Sequence, residues 1–66
     1  MIYTCGEGHE TAIYPVNGVE TVVTNDYLTG KMLQKIVPAT ENGLRKMKAR
    51  LEEGDCPLCD NWEYEA

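Results

Sequence analysis

The sequence predicts a small α+β domain, in which an antiparallel β-hairpin or a three-stranded sheet precedes one helix in the C-terminal half. Two β-prone runs, 11–16 and 19–24, flank the dipeptide Asn17-Gly18. Asn-Gly is the preferred pair for a two-residue hairpin turn. Apolar residues then recur at helical spacing between positions 39 and 53. A hairpin followed by a single helix is typical of the α+β class.

The hairpin turn determines which residues share a face of the two strands. One face carries alternate residues on both strands, namely Ala12, Tyr14, Val16, Val19, Thr21 and Val23. We expect this face to cover the core in preference to the opposite face, which contains Ile13 and Val22. Pro15 has no amide hydrogen to donate, so we expect strand 11–16 to lie at a sheet edge or to be interrupted near Pro15.

Shorter segments on either side of the hairpin also have predicted local structure. Ile2-Tyr3-Thr4 is β-branched and aromatic, which favours a short first strand. Segment 25–30 begins with Asn-Asp and ends with Gly, which indicates a turn. Segment 31–37 fits both a strand and a helix face. We favour a third strand there, because the following Pro38 ends it.

Segment 39–53 is the predicted helix. Its apolar stripe repeats at i, i+3 and i+7 and consists of Leu44, Met47 and Leu51. Thr40 or Asn42 can cap the N-terminus, and Gly54 can adopt the left-handed conformation that ends a helix. The helix therefore leads directly into Cys56.

A chain this short and poor in large apolar residues needs a stabilising cross-link, such as a metal ion or a disulfide. The chain has 66 residues, one Trp and no Phe, so we treat positions 1–66 as one domain with a small core. Its three cysteines are an odd number, which argues against a secreted disulfide scaffold. No signal peptide or membrane-spanning run is visible, so we expect an intracellular, cytoplasmic protein that does not enter a membrane. In a reducing compartment, close-set Cys and His indicate metal binding.

Every thiol and the sole imidazole lie in two short segments near the chain ends. Cys5 and His9 form one pair, and Cys56 and Cys59 form the other. Zinc prefers four tetrahedral thiolate and imidazole ligands, and three cysteines with one histidine are a common structural set. We therefore predict that these four residues bind one structural Zn²⁺ and join the two ends of the domain.

The Cys56-Pro57-Leu58-Cys59 segment has other interpretations. Such a pair can act in thiol–disulfide exchange, although redox pairs usually open a helix after a strand and this one follows a helix. The thiols can also be unbound and structural. A catalytic zinc would keep an open coordination position, whereas four candidate ligands close the site. We therefore expect a protein that is not an enzyme, with a redox role for Cys56 and Cys59 as an alternative.

The two pairs also lie in segments that resemble known zinc-binding knuckles. Tyr3-Thr4-Cys5-x3-His9-Glu10 resembles the first knuckle of zinc-ribbon and rubredoxin-type proteins, and Cys56-Pro57-Leu58-Cys59-Asp60 resembles the second. The family has a second cysteine where this chain has Gly8, so His9 must take its place. A helix between the knuckles also departs from an all-β ribbon. The resemblance implies a stabilising and docking module, often part of transcription or translation machinery.

Charge bears on the kind of partner. The formal net charge is −5, and segment 52–66 has acidic residues but no basic ones. Acidic chains repel a phosphate backbone, so we expect a protein partner, with the chain acting as an inhibitor or adaptor of a larger machine. The candidate partner-binding residues are Asp60, Trp62, Glu63 and Tyr64, with Trp62 and Tyr64 as anchors if they are exposed. A nucleic-acid-binding role for the basic cluster, Arg45, Lys46, Lys48 and Arg50, is the alternative.

Overall fold

A computed structural model describes residues 1–62 and shows a four-stranded antiparallel sheet with one helix. The strands pair in chain order, and the elements are β1 (Ile2–Thr4), β2 (His9–Val16), β3 (Val19–Asp26), β4 (Met32–Ile36) and α1 (Glu41–Glu52). The predicted α+β class is confirmed, and segment 31–37 contains a strand, as favoured. The sheet is larger than expected because β1 pairs with β2.

The β2–β3 hairpin has the register that its turn predicts. Val16 pairs with Val19, and both turn residues have positive φ, 53° at Asn17 and 80° at Gly18. A type I′ turn requires positive φ at both positions. The expectation for Pro15 is also met, because β1 covers β2 only from Glu10 to Ala12. Beyond that point the outer side of β2 is a sheet edge.

The core lies on the opposite face of the hairpin from the one predicted. Helix α1 packs against the face that carries Ile13 and Val22, in a cluster of Val22, Ile36, Met47, Leu51 and Trp62. The neighbouring strand explains the choice, since β4 places Ile36 beside Val22 and Lys35 beside Val23. Thr21 and Val23 on the other face are nevertheless 1% exposed, so the central strand is buried on both faces.

Helix α1 begins and packs as its sequence predicts. The Thr40 side chain accepts a 3.0 Å hydrogen bond from the Gly43 amide, which satisfies a free donor of the first turn. Met47 and Leu51 are buried and Leu44 is partly buried, so the predicted stripe faces the sheet. No helix within residues 1–62 has the length and apolar character that spanning a bilayer requires.

The C-terminal cap of α1 sets the direction of the segment that carries Cys56 and Cys59. Gly54 has φ of 98°, and its amide donates to the Leu51 carbonyl at 3.1 Å. The Asp55 amide donates to the Arg50 carbonyl at 3.1 Å. These two bonds form a Schellman motif, which ends the helix and reverses the chain direction. Cys56 follows directly.

Candidate metal centre

Four side chains from both ends of the chain converge at one edge of the molecule. Cys5 follows β1, His9 begins β2, and Cys56 and Cys59 lie in the turn after α1. Their ligand atoms all lie within 4.8 Å of one another. The structure thus brings together all four predicted ligands, and this cluster can hold a metal ion.

Backbone hydrogen bonds shape the N-terminal half of the site. The Cys5 amide donates to the His9 carbonyl at 3.0 Å, which closes the loop between β1 and β2. Gly8 has φ of 89°, a conformation that non-glycine side chains rarely adopt. The Tyr27 amide donates to the Gly8 carbonyl at 3.0 Å and ties this loop to the end of β3. The Glu7 amide points at the Cys5 sulfur at 3.4 Å, where it favours the thiolate.

The C-terminal half is a tight turn held by its own residues. The Asp60 carboxylate accepts a 3.0 Å hydrogen bond from the Cys56 amide, and the Asp60 amide donates to the Cys56 carbonyl at 2.9 Å. The Trp62 amide donates to the Pro57 carbonyl at 3.0 Å. The side chain of Asp60 therefore has a defined role, which is to fix the backbone that carries Cys56.

Four of the six distances between the ligand atoms are close to those of a tetrahedral zinc site. With Zn–S of about 2.3 Å and Zn–N of about 2.0–2.1 Å, tetrahedral angles give S···S edges of about 3.8 Å and S···N edges of about 3.5–3.6 Å. The sulfurs of Cys5 and Cys59 are 3.8 Å apart. His9 Nδ1 lies 3.3 Å from Cys5 Sγ and 3.5 Å from the sulfurs of both Cys56 and Cys59. Nδ1 is therefore the imidazole atom that faces the three sulfurs and could bind a metal ion with them.

The three thiols differ in environment. Cys56 is 4% exposed, Cys5 is half-buried and Cys59 is exposed. Burial works to raise the pKa of Cys5, but backbone hydrogen bonds from Glu7 and His9, and then the other two thiols, lower it to about 7. Desolvation, followed by the sulfurs of Cys5 and Cys56, raises the pKa of Cys59 to about 12. A metal ion would therefore have to displace a proton from Cys59 at neutral pH.

The predicted partner-binding set needs one correction. Trp62 is only 5% exposed and belongs to the core cluster, so it is not an exposed anchor. The Arg50 guanidinium lies 4.2 Å from the centre of its ring and also pairs with Asp55 at 3.1 Å. These contacts hold Trp62 against the helix, and they also engage one member of the basic cluster. Glu63 and Tyr64 lie outside the described residues.

One exposed apolar feature beside the site was missed by the sequence analysis. Leu28 is 78% exposed and Tyr27 is 47% exposed, in the turn between β3 and β4. A Cβ added to Gly8 would lie 3.5 Å from Leu28 Cδ1, so the Leu28 side chain borders the Cys5–His9 loop. No local pattern indicates this proximity, because it arises from the pairing of His9 with Asp26 across the hairpin.

Comparisons with models of known families, with curated proteins and with solved structures give no match. The chemistry of the site therefore follows from its own residues. Thiolate and imidazole ligands with tetrahedral spacing suit zinc better than they suit magnesium or calcium, which prefer oxygen ligands.

Proposed function

We propose that the protein is a structural-zinc domain that binds another protein and is not an enzyme. The observation that carries this proposal is the convergence of Cys5, His9, Cys56 and Cys59, whose ligand atoms all lie within 4.8 Å of one another. Four protein ligands would complete the coordination of Zn²⁺ and leave no position for a substrate or a reactive water. The only histidine of the chain would be a ligand, so it would not serve as a general base.

The zinc would act by joining the sheet to the segment that follows the helix, because the apolar core between these two layers is small. Cys5 and His9 belong to the sheet side, and Cys56 and Cys59 follow the helix. A domain of this size has a marginal core, and structural zinc contributes directly to folding free energy. With three thiolates, the bound site would carry a charge of about −1.

We propose that the partner binds at the exposed turn of Tyr27 and Leu28. Leu28 lies beside the Cys5–His9 loop, and its amide donates to the Asp26 carboxylate at 2.9 Å. Glu7 in that loop is also exposed. An exposed apolar side chain near acidic residues fits an apolar pocket with a basic rim, and the net charge of −5 favours the same class of partner. The resemblance to zinc knuckles makes an adaptor or inhibitor of a larger assembly, such as a transcription machine, the role to test first.

Nucleic-acid binding is less well supported. Arg50 already contacts Asp55 and Trp62, which leaves Arg45, Lys46 and Lys48 as the exposed basic residues of the helix. The overall charge of −5 opposes approach to phosphates.

Capture of partners by the zinc-loaded protein tests the interaction role. Three baits are compared, which are the wild type, Leu28→Asp and Val19→Asp. Val19 is 48% exposed at the far end of β3, so its variant matches the change in charge at a distant position. We expect the wild type and Val19→Asp to capture the same partner protein, cross-linked to the bait, and Leu28→Asp to lose it. Recovery of nucleic acid without any protein would refute the proposal.

A further inference from the structure

The three thiols of the metal centre are unequally open to oxidants. Cys59 is exposed, whereas Cys56 is 4% exposed and its amide is held by Asp60. The sulfur of Cys5 lies 3.8 Å from that of Cys59, although Cys5 is 54 positions earlier in the chain. Accessible thiolates beside a second thiol are the sites at which oxidation is selective.

We propose that Cys59 is an oxidation site. A peroxide oxidises Cys59, and a Cys5–Cys59 disulfide then replaces the metal ion as the link between the two ends of the chain. The inference rests on the proposed zinc site for the metal that is released. The residue pair itself follows from the exposure and spacing of the thiols.

The chemistry requires hydrogen peroxide as the two-electron oxidant. In the proposed zinc-bound state Cys59 would be a thiolate. It attacks one peroxide oxygen, the O–O bond breaks, and the departing hydroxide takes a proton to become water. The Cys59 sulfenic acid is then attacked at sulfur by the Cys5 thiolate. The S–S bond forms, the S–O bond breaks and a second hydroxide leaves as water. The two sulfurs are oxidised, the peroxide is reduced to two water molecules, and two protons come from solvent.

The burial of Cys56 favours Cys5 as the resolving thiol. A disulfide has an S–S length of about 2.05 Å, so the sulfurs of Cys5 and Cys59 must approach by about 1.8 Å. Cys59 is exposed in its turn, and Cys5 is half-buried in the loop between β1 and β2. Cys56 is buried, and hydrogen bonds with Asp60 fix its backbone.

The alternative disulfides differ in what they do to the fold. A Cys5–Cys59 bond joins the sheet side to the turn after the helix, as the metal does, and it spans 54 positions. A long loop loses more unfolded-state entropy when it is cross-linked. A Cys56–Cys59 bond would close only the turn itself and would leave the two halves unconnected. The oxidised protein is therefore expected to stay folded after it loses its metal.

The test begins with native mass spectrometry of the untreated protein. Absence of zinc at this stage contradicts the proposed function, but the disulfide is then mapped on the reduced, metal-free chain. The protein is next titrated with hydrogen peroxide. Released zinc is followed with a chromogenic chelator, and the disulfide is located by non-reducing peptide mapping after alkylation.

We expect loss of zinc, a mass lower by two hydrogen atoms, a linked Cys5–Cys59 peptide and an alkylated Cys56. The oxidised protein should retain a cooperative thermal transition that the chelated, reduced protein lacks. Cys56→Ser should form the same disulfide, whereas Cys59→Ser should not. A dominant Cys56–Cys59 bond, or oxidation to sulfinic acid without any disulfide, would overturn the inference. The wild-type map decides this even if neither variant folds.

Discussion

Nδ1 of His9 lies 3.5 Å from the sulfur of Cys56, although the two residues are 47 positions apart. His9 belongs to the start of β2, and Cys56 follows the C-terminal cap of α1. The contact therefore joins the sheet to the segment that leaves the helix. A metal ion at this point would fix both layers, in addition to the apolar contacts between Val22, Met47 and Leu51.

Replacing His9 tests the identity of the fourth ligand. We expect His9→Ala to weaken zinc binding by more than about 100-fold, because changes to residues behind the ligands alone cost about 10–100-fold. Competition against a chromogenic chelator measures the affinity. Glu7→Ala is the matched control from the same loop, since only the backbone amide of Glu7 approaches Cys5. Unchanged affinity in His9→Ala would show that the ligand assignment is wrong.

The Asp60 carboxylate is expected to support the site without binding the metal. Its Oδ2 atom accepts the Cys56 amide at 3.0 Å, so Asp60→Ala leaves that amide without its partner. Zinc affinity should fall by about 10-fold or more, and the free energy of unfolding by about 0.5–1.5 kcal/mol. Asp60→Asn keeps an acceptor oxygen and should recover part of both losses. Equal effects of the two substitutions would argue against this hydrogen-bonding role.

Substitutions at two glycines distinguish the energetic cost of a positive φ from the cost of a steric clash. An added Cβ at Gly54 or at Gly6 would meet no atom within 4 Å, but only Gly54 has a positive φ, of 98°. Gly54→Ala should therefore cost about 1 kcal/mol in the free energy of unfolding, as a left-handed residue does. Gly6→Ala should be neutral or slightly stabilising, because it restricts the unfolded chain. Urea denaturation of the zinc-loaded proteins measures both. A larger loss at Gly6 than at Gly54 would contradict the assignment of the helix end.

Zinc affinity should rise with pH. The pKa of Cys59 is raised to about 12, so this thiol is protonated in the metal-free protein at neutral pH. Metal binding requires the thiolate and therefore releases the proton, which makes binding stronger as protons become scarcer. Calorimetric titrations in buffers of different ionisation enthalpy, at about pH 6 and about pH 8, count the released protons. Binding without proton release would contradict the assignment of Cys59 as a ligand.

The parts of the fold that the sequence predicts are those determined by neighbouring residues. The Asn17-Gly18 turn determines the hairpin register, and Thr40 and Gly54 mark the two ends of the helix. The four metal ligands could be proposed because they include every cysteine and histidine of the chain. The turn and the helix ends depend on residue type and short spacing, and the candidate ligands depend on composition.

The remaining features depend on contacts between distant segments. Both faces of the hairpin have apolar residues, and the pairing of Ile36 with Val22 decides which one covers the helix. The burial of Trp62 depends on the position of α1 and on the contact with Arg50, so the local sequence does not indicate it. The proximity of Leu28 to Gly8 likewise follows from the β2–β3 register and from no local pattern.

Native mass spectrometry of the purified protein, before and after chelation, tests the metal centre most directly. We expect one zinc ion per chain, with Cys5, Cys56 and Cys59 protected from alkylation until a chelator is added. Circular dichroism of the same samples should then show that the cooperative thermal transition is lost with the zinc. A metal-free protein that melts cooperatively, with all three thiols reactive from the start, would contradict this expectation.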